Sequence, residues 1–176
     1  MQGENRPGPL VGIVMGSDSD LPVVKGAAEA LSLLQIPFEI RIISAHRSPA
    51  QALEYARTAA ERGLKVLIAA AGGAAHLPGL LAALTPLPVI GIPVAAGTLG
   101  GLDALLSIVQ MPRGIPVATV AVNGAFNAGI LAAQIIGAGD PEVQKRVAAY
   151  KERLAAEVGE KDARLQSSGI EGYDKR

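Results

Sequence analysis

The chain has 176 residues, with 16 basic and 16 acidic side chains and no cysteine. That length suits one domain with a real hydrophobic core. The balanced charge points to no nucleic-acid or acidic-surface partner, and the lack of cysteine excludes a disulfide framework or a thiolate site.

Residues 1–7 lack the apolar core of a signal peptide, so a cytoplasmic protein is expected. Leu10–Met15 is short and apolar and ends at Gly16, which predicts a buried strand. From Asp20 to Gln35, Val23, Val24, Ala27, Ala28, Leu31 and Leu34 recur at helical spacing. Phe38–Ile43 reads as the second strand. Ser48 before Pro49 has the form of an N-cap with proline at the first helical position, opening a helix to Arg62 that stops at Gly63. Leu64–Ala71 is the third strand, apolar after Lys65, and a helix over Leu77–Leu84 follows. Pro88–Ile92 is the fourth strand, Leu102–Val109 a helix and Ile115–Val122 the fifth strand. Asn127–Ile136 has almost no polar face and predicts a buried helix. Pro141 opens an amphipathic helix to Val158.

Strands and helices alternate with short connections, which predicts an α/β fold with a parallel sheet. The expected architecture is three-layer and flavodoxin-like: a five-stranded parallel sheet, helices on both faces and a C-terminal helical extension. The strand order 2-1-3-4-5 puts the topological switch point between strands 1 and 3. Residues 1–158 read as the single domain and 159–176 as a polar, flexible tail.

Between Lys65 and Asp140 the only charged residues are Asp103 and Arg113. Prolines and glycines cut this stretch into pieces shorter than the roughly 20 residues of a membrane span. No membrane association is expected. So much apolar surface is hard to hide in one small monomer, and a homo-oligomer is the natural way to cover it.

Three predicted strands end in loops of polar, small or titratable residues, at the end of the sheet where α/β proteins bind ligands. Gly16-Ser17-Asp18-Ser19-Asp20 leads into a helix and offers backbone and hydroxyl donors to an anion. At least one aspartate should then point elsewhere, and Asp20 is assigned to accept ribose hydroxyls. An ordinary N-cap explains the same residues, and both readings stay open. The loop lacks the spacing of a dinucleotide site and the lysine of a P-loop.

The chain has 2 histidines. His46 stands beside Arg47, whose planar fork suits phosphate oxygens. A positive neighbour disfavours the imidazolium form. An imidazole poised between its forms can act as acid and then as base. A histidine bonded into a helix cap is the alternative. His76 follows Gly72-Gly73-Ala74-Ala75, a loop with almost no side chain that can present backbone N–H groups to the crevice. His76 is expected to orient that loop rather than to react. No histidine pair has metal-ligand spacing, so no metal is expected. No tryptophan is present to stack a flavin, and strand 3 lacks the aspartate of a phospho-receiver.

Gly16-Ser17-x-Ser19-Asp20, Ser44-Ala45-His46-Arg47, Ala71-Gly72-Gly73-Ala74-Ala75-His76-Leu77-Pro78-Gly79 and Ser107-Ile108-Val109-Gln110-Met111-Pro112 closely resemble motifs of the class I N5-carboxyaminoimidazole ribonucleotide mutases of purine biosynthesis. The resemblance spans residues 10 to 158. It implies an isomerase without cofactor, acting on a small ribonucleotide rather than on nucleic acid. It also implies a homo-octamer whose sites are built partly from neighbouring subunits. Carried over by motif, His46 is the catalytic acid and base. Ser17, Ser19 and Arg47 hold the phosphate and Asp20 the ribose. Gly72, Gly73 and Ala74 hold the migrating carbon dioxide. Gly16, Ser44, Ala45, His76 and Leu77 complete the substrate contacts, and Gln110–Pro112 helps to close the pocket. The chain departs from many members at Leu21-Pro22, where they carry Trp, and in a shorter Asn123–Asn127 segment. The class II activity, direct carboxylation of aminoimidazole ribonucleotide, and a non-catalytic nucleotide-binding module are the alternatives.

Overall fold

The computed structural model describes residues 8–173. Five parallel strands lie in the order β2-β1-β3-β4-β5, as the alternation predicts. They are β1 (Val11–Met15), β2 (Phe38–Ile42), β3 (Val66–Gly72), β4 (Val89–Val94) and β5 (Ala118–Thr119). The helices are α1 (Leu21–Leu33), α2 (Pro49–Thr58), α3 (Leu77–Ala82), α4 (Leu102–Val109), α5 (Ala125–Gly137) and α6 (Pro141–Gly172).

Alternation along the central strands builds the layers, because successive side chains point to opposite faces. Val11, Ile13 and Met15 of β1 join Val66, Ile68 and Ala70 of β3 under α1, α5 and the start of α6. Val14, Leu67 and Ala69 face α2, α3 and α4 on the other side. The three-layer arrangement follows, and it leaves the loops after β1, β2 and β3 side by side at one end of the sheet.

Four features differ from expectation for local reasons. β5 shrinks to 2 residues: Pro116 has no N–H to give the ladder, and only Ala118 and Thr119 pair with β4. Ser48 sits at the head of α2 but does not cap it; it bonds to Ser44 instead. α5 is buried along one face, Ala125, Ala128, Gly129, Ala132, Ala133 and Gly137, rather than all round. α6 continues past Val158 to Gly172, with a non-helical residue only at Gly169. A single helical glycine such as Gly159 costs only about 1 kcal/mol, and its neighbours are good helix formers. From Lys151 to Gly172 the helix is exposed throughout. No described helix is long and apolar enough to cross a membrane.

The small face of α5 lets it lie close to α1. A Cβ on Gly129 would come 2.7 Å from the Ala27 carbonyl oxygen and 2.7 Å from the Ala30 Cβ. Alanine there gains about 1 kcal/mol in helix propensity. Overpacking costs about 1–3 kcal/mol, and here part of the overlap is with backbone that cannot rotate away. Gly129→Ala is therefore expected to destabilise the fold by about 1 kcal/mol net. Urea unfolding of the two proteins checks the sign.

Candidate active site

A cleft of about 370 Å³ opens at the switch point between β1 and β3. Its lining contains Gly16, Ser17, Ser19 and Asp20 after β1, then Ser44, Ala45, His46 and Arg47 after β2. Gly72, His76 and Leu77 contribute from the end of β3 and the start of α3. All of these were singled out by the sequence. Gly73 and Ala74 were as well, but they lie outside the lining; the wall at that point is Ala71, Gly72 and Ala75. The chain turns away after Gly72, with Ala75 in the left-handed region at φ 42° and its N–H bonded to the Gly72 carbonyl at 3.2 Å. Gln110, Met111 and Pro112 also stand apart from this chain's own cleft, and Met111 packs over Gly79.

The first loop is a short 3-10 turn, Asp18–Asp20. Ser17 Oγ accepts from the Ser19 N–H at 3.3 Å and donates to Asp18 Oδ1 at 3.0 Å. The two aspartates separate as an anion site requires: Asp18 is exposed and outside the lining, whereas Asp20 is buried at 8% exposure within it. Asp20 makes no N-cap bond to α1. Burial pushes its carboxyl above the usual aspartate range, against hydrogen bonds involving Ser17 and Ser19 that pull it down. A carboxyl raised in this way binds its proton more tightly folded than unfolded. Its contribution to stability is present at low pH and is lost as pH rises from the ordinary 3.8 through the raised folded value. Asp20→Asn is therefore expected to raise the melting temperature near pH 7 and to flatten its fall from acid to neutral pH. Thermal unfolding across that range checks both.

Two serines build the second loop. Ser44 Oγ accepts from the Arg47 N–H at 3.1 Å, while Ser48 Oγ accepts from the Ser44 N–H at 3.0 Å and donates to the Ser44 carbonyl at 3.1 Å. This tight turn projects His46 and Arg47 outward, and both are exposed. The Arg47 guanidinium then ties the turn to the first loop, with Nη2 donating to the Gly16 carbonyl at 2.9 Å and Nε to Ser44 Oγ at 3.4 Å.

The two histidines meet. His46 Nε2 lies 2.6 Å from His76 Nδ1, with the rings 4.8 Å apart and nearly perpendicular. One imidazole donates and the other accepts, and the tautomer decides which. The sequence gives them separate roles, His46 reacting and His76 orienting its loop and contacting substrate, and does not bring their rings together. The signal lay in the strand order: β2 and β3 both flank β1, so their loops arch over the same strand. Ala96, from the loop after β4, also lines the cleft. It carries no polar atom on its side chain, so a search for chemistry passed over it. Among the described residues, no cluster of three or more His, Cys, Asp or Glu side chains is placed to hold a metal ion.

Imidazole, guanidinium, hydroxyl and carboxyl groups gathered in one cleft at the switch point of such a sheet mark a flavodoxin-like α/β enzyme. The model of the AIR carboxylase family matches residues 10–157, and the chain belongs to that family. It is 61% identical over 165 residues to the N5-carboxyaminoimidazole ribonucleotide mutase of Thermotoga maritima, covering 94% of this chain and 96% of that protein. It is 61% identical over 158 residues to the mutase of the same name from Mycobacterium tuberculosis, covering 90% and 91%. Among solved structures it is similar to Treponema denticola PurE, with a TM-score of 0.82 at 32% identity over 89% of this chain and 98% of that one.

Proposed function

We propose that this protein is an isomerase of purine biosynthesis that converts N5-carboxyaminoimidazole ribonucleotide into 4-carboxy-5-aminoimidazole ribonucleotide. The observation that carries the reading is one cleft combining an exposed imidazole, an Arg–Ser anion cradle and a wall of methyl groups and backbone. The names of the relatives support the substrate.

Arg47, Ser17 and Ser19 hold the phosphate through charge-assisted and hydroxyl hydrogen bonds. Asp20 accepts from the ribose hydroxyls. His46, as imidazolium, protonates the carbamate nitrogen; the C–N bond breaks with its electrons on nitrogen, and carbon dioxide is released. Gly72 and its neighbours keep that molecule beside the ring, where proximity replaces a bimolecular encounter. Carbon 4 attacks it. His46, now neutral, removes the proton from carbon 4 and returns to imidazolium, which closes the cycle. Ser44, Ala45 and Leu77 shape the cradle, and His76 restrains the His46 ring. Gly73 and Ala74 act through the turn they form rather than by contact.

The functional unit is proposed to be residues 1–158, working in the cytoplasm as a homo-oligomer, with the octamer as the form the family resemblance implies. An apolar stripe supports assembly: Leu99, Leu102, Leu106 and Val109, at helical spacing on and before α4, are 61%, 53%, 48% and 52% exposed.

The test supplies the protein with N5-carboxyaminoimidazole ribonucleotide and, separately, with aminoimidazole ribonucleotide and bicarbonate. Conversion of the first at low concentration supports the proposal. Conversion of the second alone identifies a direct carboxylase, and binding without turnover identifies a nucleotide-binding module.

A further inference from the structure

The wall of the cleft opposite the first two loops is held by a residue outside it. Gly72, at the end of β3, and Ala96, after β4, face each other so closely that a Cβ on Gly72 would come 2.9 Å from the Ala96 Cβ and 3.3 Å from the Val94 carbonyl. Ala96 belongs to the segment 95–101, exposed as far as Gly100, where Gly97, Gly100 and Gly101 all have positive φ. Such a run has little side-chain packing of its own to fix its course.

What fixes its start is Asn123, in the turn between β5 and α5. Its N–H donates to the Pro93 carbonyl at 2.8 Å, and its side-chain Oδ1 accepts from the Ala95 N–H at 2.9 Å. One residue thus bonds on both sides of Val94 and continues the β4–β5 ladder beyond the point where strand pairing ends. Asn123 itself has φ 58°, a left-handed conformation that asparagine adopts more readily than most residues. Both the backbone and the side chain suit this clamp.

We propose that Asn123 is a positioning residue that, by holding Ala95, keeps Ala96 against Gly72 and so seals the wall that retains released carbon dioxide. The inference rests on the isomerase reading above. In a cleft that seals poorly, carbon dioxide escapes before carbon 4 attacks, leaving aminoimidazole ribonucleotide as the product. Carbon dioxide from solution also enters the product more often.

The test compares wild type, Asn123→Gly and Asn123→Asp. Glycine accepts the left-handed backbone but loses the acceptor, whereas aspartate keeps both. Each protein is given N5-carboxyaminoimidazole ribonucleotide with isotopically labelled bicarbonate, and label in the carboxylated product is measured above the uncatalysed background. Amide hydrogen exchange is followed over segment 95–101. Loss of one hydrogen bond is expected to raise both label incorporation and exchange by about fivefold in Asn123→Gly. Asn123→Asp is expected to stay near wild type. Unchanged exchange in Asn123→Gly overturns the inference whatever the substrate. Equal leakage in both variants also overturns it, since aspartate retains the acceptor. Faster exchange with unchanged label incorporation overturns the sealing role. A wild-type protein that makes no carboxylated product overturns the isomerase reading, and the exchange result then decides the clamp alone.

Discussion

His46→Asn is expected to lower turnover by more than about 10³-fold while leaving nucleotide binding within a few-fold of wild type. A positioned acid or base contributes typically 10²–10⁴-fold, and here one group serves both proton transfers. Asparagine can form hydrogen bonds but cannot gain or lose a proton in this range. The proposed phosphate ligands, Arg47, Ser17 and Ser19, are untouched in this variant and line the same cleft, so the nucleotide is expected to keep its anchor. His76→Asn provides the contrast. It removes the 2.6 Å contact that restrains the His46 ring but leaves the proton carrier in place. A fall of about tenfold or less is expected there, the scale of one hydrogen bond. Single-turnover kinetics and equilibrium binding of the product separate the two cases. Near-normal turnover in His46→Asn would sink the assignment, and equal losses in both variants would make the pair, rather than His46 alone, the proton carrier.

The second large effect is expected at Arg47. Removing a charged partner from a phosphate costs about 1.5–3 kcal/mol, or roughly 10- to 150-fold in affinity. The phosphate stands away from the reacting carbon, so Arg47→Ala is expected to act chiefly on KM. The same substitution also frees the Gly16 carbonyl and Ser44 Oγ, loosening the two loops relative to each other. Arg47→Lys is expected to recover only part of the loss. An ammonium is a point charge, and it cannot span the Gly16 carbonyl, Ser44 Oγ and a phosphate with one planar fork. Steady-state kinetics of the two variants gives the result. An unchanged KM in Arg47→Ala would remove the arginine from phosphate binding.

Much of this was legible in the chain itself. The apolar runs before Gly16, Ser44 and Gly72 are strands because they are short, continuous and bounded by breakers. Once they alternate with helices, right-handed crossovers leave few possible orders. The placement of His46, Arg47, Ser17 and Asp20 in one cleft follows from that order. The histidine contact does not, because a loop's backbone path decides it, and Ala75 at positive φ has no signature in sequence. Asp20 is singled out from Asp18 in the sequence as the ribose acceptor, but its burial against an exposed Asp18 is a matter of the turn's path that no spacing reveals. Ser48 was read as a cap because serine before proline has that form, but two serines four residues apart can bond to each other instead. Asn123 stood out in the sequence only as part of a short segment. Its meaning needs Ala95, 28 positions away, and no local pattern joins the two.

The brevity of β5 also bears on how the chain avoids its own kind while folding. The most charge-poor part of the sequence, from Lys65 to Asp140, contains β5, an edge strand of the sheet. A long flat edge there would offer a template for strands of other molecules. A ladder of 2 residues, approached through Pro112 and Pro116, offers almost none. The truncated strand thus works as protection against aggregation, at the place where an apolar chain is most exposed to it.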